Sequence, residues 1–177
     1  MIHIYGDGGS NPHSDQCAGW AIAVQPNEGK TQWRVFYGHL PAPSTNNIAE
    51  LTAVINALKM LWKLSDCGSR CIPPATIYSD SEYTLNSVLK WRPKWEYQGM
   101  PPKNTALLYE LFDFYDKVCS ISELELKWVK GHAGIQGNEH ADVWTGHGKR
   151  DSDFAVDNSW LKSKKVVGSF DAFIGID

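Results

Sequence analysis

The sequence is short of cysteine: Cys17, Cys67, Cys71 and Cys119 are the 4 in 177 residues, too few and too scattered for a disulfide scaffold in a chain this long. Reduced thiols in a cytosol-like compartment are the expectation. Cys67 and Cys71 are the one close pair, and with no second cysteine or histidine pair nearby a zinc site there is unsupported. Positive charge is not in surplus either: the formal net charge is -3 and the pI about 6.0, so any face that binds an anionic polymer has to be local. No apolar run reaches the roughly 20 residues of a membrane span. Met1 leads straight into a strand-like Ile2-His3-Ile4-Tyr5, without a basic leader or an apolar signal core. A soluble, cytoplasmic protein with no membrane partner is expected. Internal repeats and low-complexity tracts are missing as well, so the chemistry has to be sought in individual residues.

What is present is an ordinary globular composition, 42% hydrophobic and 21% charged, at a length that suits one domain with a substantial core. Residues 1–6, 19–25 and 32–39 read as strands separated by turn-forming clusters, an antiparallel meander. Leu51, Val54, Ile55, Leu58, Leu61 and Trp62 then recur at helical spacing, which predicts a long amphipathic helix over 46–64. A strand at 75–79, helices at 81–90 and 105–118, a strand at 123–129 and a short helix at 138–145 follow, with a proline-interrupted, tryptophan-bearing stretch between the middle helices. This order implies an α/β fold: a mixed five-stranded sheet, three strands antiparallel and then two parallel, with helices on both faces. Residues 1–146 form the expected domain and 147–177 a C-terminal extension with little periodicity before Val166-Val167.

Four acids stand where strands end or helices begin. Asp7 reads as closing the first strand before a Gly8-Gly9-Ser10 turn, Glu50 lies near the start of the long helix, Asp80 ends the short strand, and Asp142 sits on the last helix. Such positions can converge on one sheet edge, and clustered carboxylates repel unless cations sit between them. Hard oxygen ligands in this number suit Mg2+ or Mn2+, and two such ions are a recurring means of phosphodiester hydrolysis. For any one acid, a helix cap or a solvated surface charge is the plainer alternative.

The wording around the acids is more specific. Tyr5-Gly6-Asp7-Gly8-Gly9-Ser10, Thr45-Asn46-Asn47-Ile48-Ala49-Glu50-Leu51, Tyr78-Ser79-Asp80-Ser81-Glu82-Tyr83 and Lys130-Gly131-His132-Ala133-Gly134 through Asn138-Glu139-His140-Ala141-Asp142 closely resemble the ribonuclease HI family, in family order, over residues 1 to about 145. The resemblance implies an RNase H-like fold and an endoribonuclease cutting the RNA strand of RNA–DNA hybrids, as a monomer. It implies Asp7, Glu50, Asp80 and Asp142 as ligands of two Mg2+ ions, with Mn2+ able to substitute and Asp7 bridging both. His132 would assist proton transfer or product departure from a loop made pliable by Gly131 and Gly134.

The same resemblance implies how a hybrid is read. Asn46 and Asn47 match minor-groove contacts, amides being suited to sensing a 2′-hydroxyl. Tyr83, Trp91 and Trp95 match an aromatic channel for deoxyribose, with core packing as the competing use of tryptophan. Thr45 and Asn104 match a phosphate pocket for the DNA strand. Glu82 stands where the family pattern has glutamine, and a carboxylate accepts hydrogen bonds but cannot donate them. Arg92, Lys94 and Lys103 are the only basic residues between Trp91 and Asn104, where relatives carry a longer, strongly basic handle. Val143-Trp144-Thr145-Gly146-His147-Gly148 replaces the family's alanine-rich helix. Two rival readings are a module that holds hybrids without cutting, and a resolvase- or integrase-type nuclease on the same architecture. Four intact acids speak against the first, and the paired asparagines with the aromatic spacing against the second.

Overall fold

Alternating apolar and small residues make Ile2–Ser10 a strand (β1), and β-rich Ala18–Val24 (β2) and Trp33–Leu40 (β3) pair with it in turn as an antiparallel meander. The computed structural model describes residues 1–11, 17–27 and 33–150, and the backbone of 165–167. Ala75–Ser79 (β4) lies parallel to β1, and Leu124–Trp128 (β5) parallel to β4. The mixed five-stranded sheet is therefore as expected. A sixth strand, Lys165–Val167 (β6), pairs antiparallel with β3 and gives the order β5-β4-β1-β2-β3-β6. Sequence reading had no strand there, because three residues are too few to carry a period.

Asn46–Leu64 forms the long helix α1, capped by the Thr45 hydroxyl, which accepts from the Ile48 N–H at 3.2 Å. Its apolar face meets the sheet through Leu51, Val54, Leu58 and Leu61 against Ile4, Ile22 and Ile77. Each of these fully buried aliphatic side chains contributes roughly 2 kcal/mol. Thr105–Cys119 (α4) lies along α1 and adds Leu108, Leu111 and Phe112 to the same core. Gln136–Arg150 (α5) covers the other face across β1, β2 and β3. It continues four residues past the expected limit at 146, and longer than the 138–145 helix read from the sequence.

The middle of the chain departs from the expectation of a helix that stops before its proline. Glu82–Asn86 (α2), a π-helical turn at Ser87–Trp91 and Arg92–Gln98 (α3) run on without a break. Pro93 has no N–H and its ring would press on a carbonyl four residues back, and the wider π turn just before it accommodates both.

Candidate active site

The parallel pairing of β1 with β4 ends at Gly6 and Ser79. Asp7 and Asp80 are each the next residue, so two neighbouring strands deliver carboxylates side by side at one end of the sheet. β1 does not turn there: it goes on to Ser10 with Asp7 opposite Ala21 of β2. The expected turn after Asp7 is thus corrected, because pairing with β2 outlasts pairing with β4. Glu50 reaches the same point from α1, which crosses β1 where residue 8 has no side chain. A Cβ on Gly8 would lie 2.2 Å from the carbonyl carbon of Ala49 and 2.3 Å from the nitrogen of Glu50, and the Gly8 N–H donates to the Glu50 carboxylate. One oxygen each of Asp7, Glu50 and Asp80 lie within 4.8 Å of one another.

Gly8→Ala is accordingly expected to cost about 3 kcal/mol, since the clash is with backbone that cannot rotate away. Urea unfolding would read this as a lower midpoint at unchanged slope. An unaltered midpoint would mean that α1 is not held this closely.

Burial shapes the electrostatics. Asp7 and Glu50 are almost fully buried. Desolvation first, then the charges of Asp80 and Asp142, push the Asp7 carboxyl up to about 7, with the Thr145 hydroxyl and the Lys149 ammonium acting the other way. Desolvation and then Asp7 and Asp80 push Glu50 up to about 9. Asp80 is also raised, chiefly by burial. Glu50 Oε2 is buried without a hydrogen-bond partner, a costly arrangement for a carboxylate. A divalent cation among these oxygens would satisfy that atom and reverse the repulsion, so the residues fit a hard metal ion.

Asp142 comes from the second turn of α5. It is outside the tight triad but near enough to act on Asp7 and Asp80. Exposed His132 has its Nδ1 3.8 Å from Asp142 Oδ2 and a left-handed backbone, φ 53°. Neighbouring Gly131 passes so close to Asp80 that a Cβ there would stand 2.6 Å from Oδ2.

The remaining sequence-derived positions lie at the start of α1, between residues 82 and 95, and just before α4. Thr45, Asn46 and Asn47 are exposed in the cap and first turn of α1, and Glu82 is exposed at the start of α2. Tyr83, Trp91 and Trp95 form a chain of rings with centroids 6.0 and 5.6 Å apart. Trp95 also leans on Phe112 in the core, so this ring takes part in packing. Asn104, left-handed at φ 59°, donates from its amide to the Tyr83 hydroxyl at 3.2 Å. It is thereby tied to the aromatic chain, a link that no spacing in the sequence reveals.

A family model for RNase H matches residues 1–150. The chain belongs to the ribonuclease H family. It is an enzyme of that family, similar to the ribonuclease H of Methylorubrum extorquens (strain PA1), 33% identical over 154 residues that cover 84% of this chain and 60% of that one. It thus spans under two thirds of that relative, but nearly all of the ribonuclease H of Mycolicibacterium gilvum (strain PYR-GCK), 32% identical over 160 residues, 86% of this chain and 94% of the other. Among solved structures it shares the fold of LC11-RNase H1 in complex with RNA/DNA hybrid, at a TM-score of 0.62 and 20% identity over 85% of this chain and 97% of that one.

Within this ribonuclease H fold, several neighbours of the acids were not singled out from the sequence. Buried Asn138 hydrogen-bonds the Asp80 carboxylate through its side chain. The Thr145 hydroxyl donates to the Asp7 carbonyl at 3.1 Å, and the Trp128 indole donates to the Asp80 carbonyl at 3.1 Å. All three act on an acid's position rather than as ligands, and a polar residue on α5 or an edge-strand tryptophan carries no local signal of that. Cys67, Cys71 and Cys119 are exposed, and the acid triad is the one metal-competent cluster among the described residues. No helix among them is long and apolar enough to cross a membrane.

Proposed function

We propose that this protein hydrolyses the RNA strand of RNA–DNA hybrids, leaving 5′-phosphate and 3′-hydroxyl ends, with two Mg2+ ions held by Asp7, Glu50, Asp80 and Asp142. The observation that carries this reading is the meeting of three carboxylates from β1, α1 and the end of β4, two of them buried and one with an unpartnered buried oxygen. Bound divalent ions would supply a water acidic enough to attack at neutral pH and positive charge against the departing oxygen. The chain's own part is to hold the acids fixed: Gly8 orients Glu50, Asn138 and Trp128 orient Asp80, and Thr145 ties Asp7 to α5. His132, exposed and within reach of Asp142, can pass a proton out of the site in this reading.

Thr45, Asn46, Asn47, Glu82, Tyr83, Trp91, Trp95 and Asn104 form the substrate face in this reading. Rings against sugar tolerate a strand without 2′-hydroxyls, and the asparagine amides can both give and take a hydrogen bond from the hydroxyl of the other. The test offers purified chain and Mg2+ one labelled hybrid, one RNA duplex, one DNA duplex and one four-way junction. Cleavage of the hybrid alone, in its RNA strand, is expected. Cutting of the junction, or binding without cutting, would replace this reading with one of its rivals.

Electrostatic grip should be modest. Arg92 is bound by both oxygens of Asp116, at 2.7 and 2.6 Å, and by Glu96 at 2.6 Å, which leaves few cations in that region for phosphates. The plot of log affinity against log salt is expected to have a slope magnitude of about 4 or less. A slope near 9 would require some ten phosphate contacts and contradict this.

A further inference from the structure

Glycines let the last turns of α5 rest on the sheet backbone to backbone. A Cβ on Gly19 would stand 2.4 Å from the Thr145 carbonyl oxygen and 2.5 Å from the Lys149 nitrogen, and one on Gly148 2.4 Å from the Gly38 carbonyl oxygen. Lys149 is therefore anchored by close packing, not carried on a frayed helix end. From that anchor its side chain runs over Gly9: Cε and Nζ lie 2.7 and 2.8 Å from where a Cβ on residue 9 would be. A glycine there leaves a trough for the aliphatic stem. Gly9 is two residues from Asp7 along β1 and so on the same face of the sheet, and the ammonium acts on the Asp7 carboxylate.

We propose that Lys149 is a resident cation of the carboxylate cluster, a positioning residue that offsets the acids' mutual repulsion and thereby sets the affinity for divalent ions. The inference rests on the proposed metal site. Glu50 from α1, Asp80 after β4 and Asp142 on α5 are the other ionisable groups around Asp7, all of them acids, so Lys149 is the cation that α5 contributes to their balance. An arriving divalent ion has to share the field of the acids with a tethered ammonium that cannot diffuse away. At separations of several ångströms near a protein surface, such a charge changes ion affinity about three- to tenfold.

The experiment titrates the 177-residue chain with Mn2+ and reads free ion by electron paramagnetic resonance, beside thermal melts in EDTA. Lys149→Met and Lys149→Gln, which remove charge but keep a stem, are expected to bind Mn2+ about three- to tenfold more tightly and to melt lower in EDTA. Lys149→Arg is expected to stay close to the parent in both. Equal or weaker binding by both neutral variants, with the parent binding normally, overturns the inference alone. Failure of the parent to bind Mn2+ overturns the metal site and this inference together.

Discussion

Asp7→Asn is expected to slow hybrid cleavage at least about a thousandfold, a loss of roughly 4 kcal/mol of transition-state stabilisation, while the fold survives. An oxygen of Asp7 lies within 4.8 Å of one on Glu50 and one on Asp80, and its charge couples to both. An amide keeps its shape and its place in β1 but takes away the charge that would bind a cation. The same change removes a buried, repelled carboxylate, so the metal-free variant should melt at or above the parent's temperature. The paired measurement is single-turnover cleavage in Mg2+ and circular dichroism with a melt in EDTA. Near-normal turnover would remove Asp7 from the reaction; a collapsed spectrum would show its role to be structural.

Raising pH without metal should weaken the fold, the reverse of what paired surface acids produce. In the unfolded chain Asp and Glu titrate near 4, whereas in the fold Asp7 holds its proton to about 7 and Glu50 to about 9. Between those limits the native state binds more protons than the unfolded state, so stability is fully present below about 4 and is lost as pH rises through 7 and 9. In EDTA the melting temperature is expected to fall by roughly 5–10 °C between pH 5 and 9. Millimolar Mg2+ or Mn2+ at pH 8 should restore most of it, because an ion that binds only the native site adds its binding energy to the fold. A flat or rising profile in EDTA would mean that the acids are ionised and solvated apart.

Much of the frame was readable because periodicity reports burial. α1 carries Leu51, Val54, Ile55 and Leu58 on one face, and its bounds coincide with the 46–64 expected. Glu50 and Asp80 were likewise placed by their elements. The misreadings share a cause: each depends on a neighbour distant in sequence. β1 outruns its glycines because β2 pairs with it through Ser10, and glycine in a strand looks from the sequence like a turn. The π turn before Pro93 resembles a helix end to any local rule. β6 exists only as a partner for the edge of β3.

By itself the sequence determined which atoms are available: four acids, a loop histidine, paired asparagines and a run of aromatics in an order that names a family, together with the strand and helix periods that dictate a mixed sheet. Tertiary structure alone decided which of those atoms meet. It put Asp7, Glu50 and Asp80 together while holding Asp142 outside, buried one Glu50 oxygen without a partner, tied Arg92 to Asp116, and laid Lys149 over Gly9. The physical reason is that identity and period are local properties of a chain. Desolvation, repulsion and close approach are properties of pairs, set where α1 and α5 press on opposite faces of one sheet.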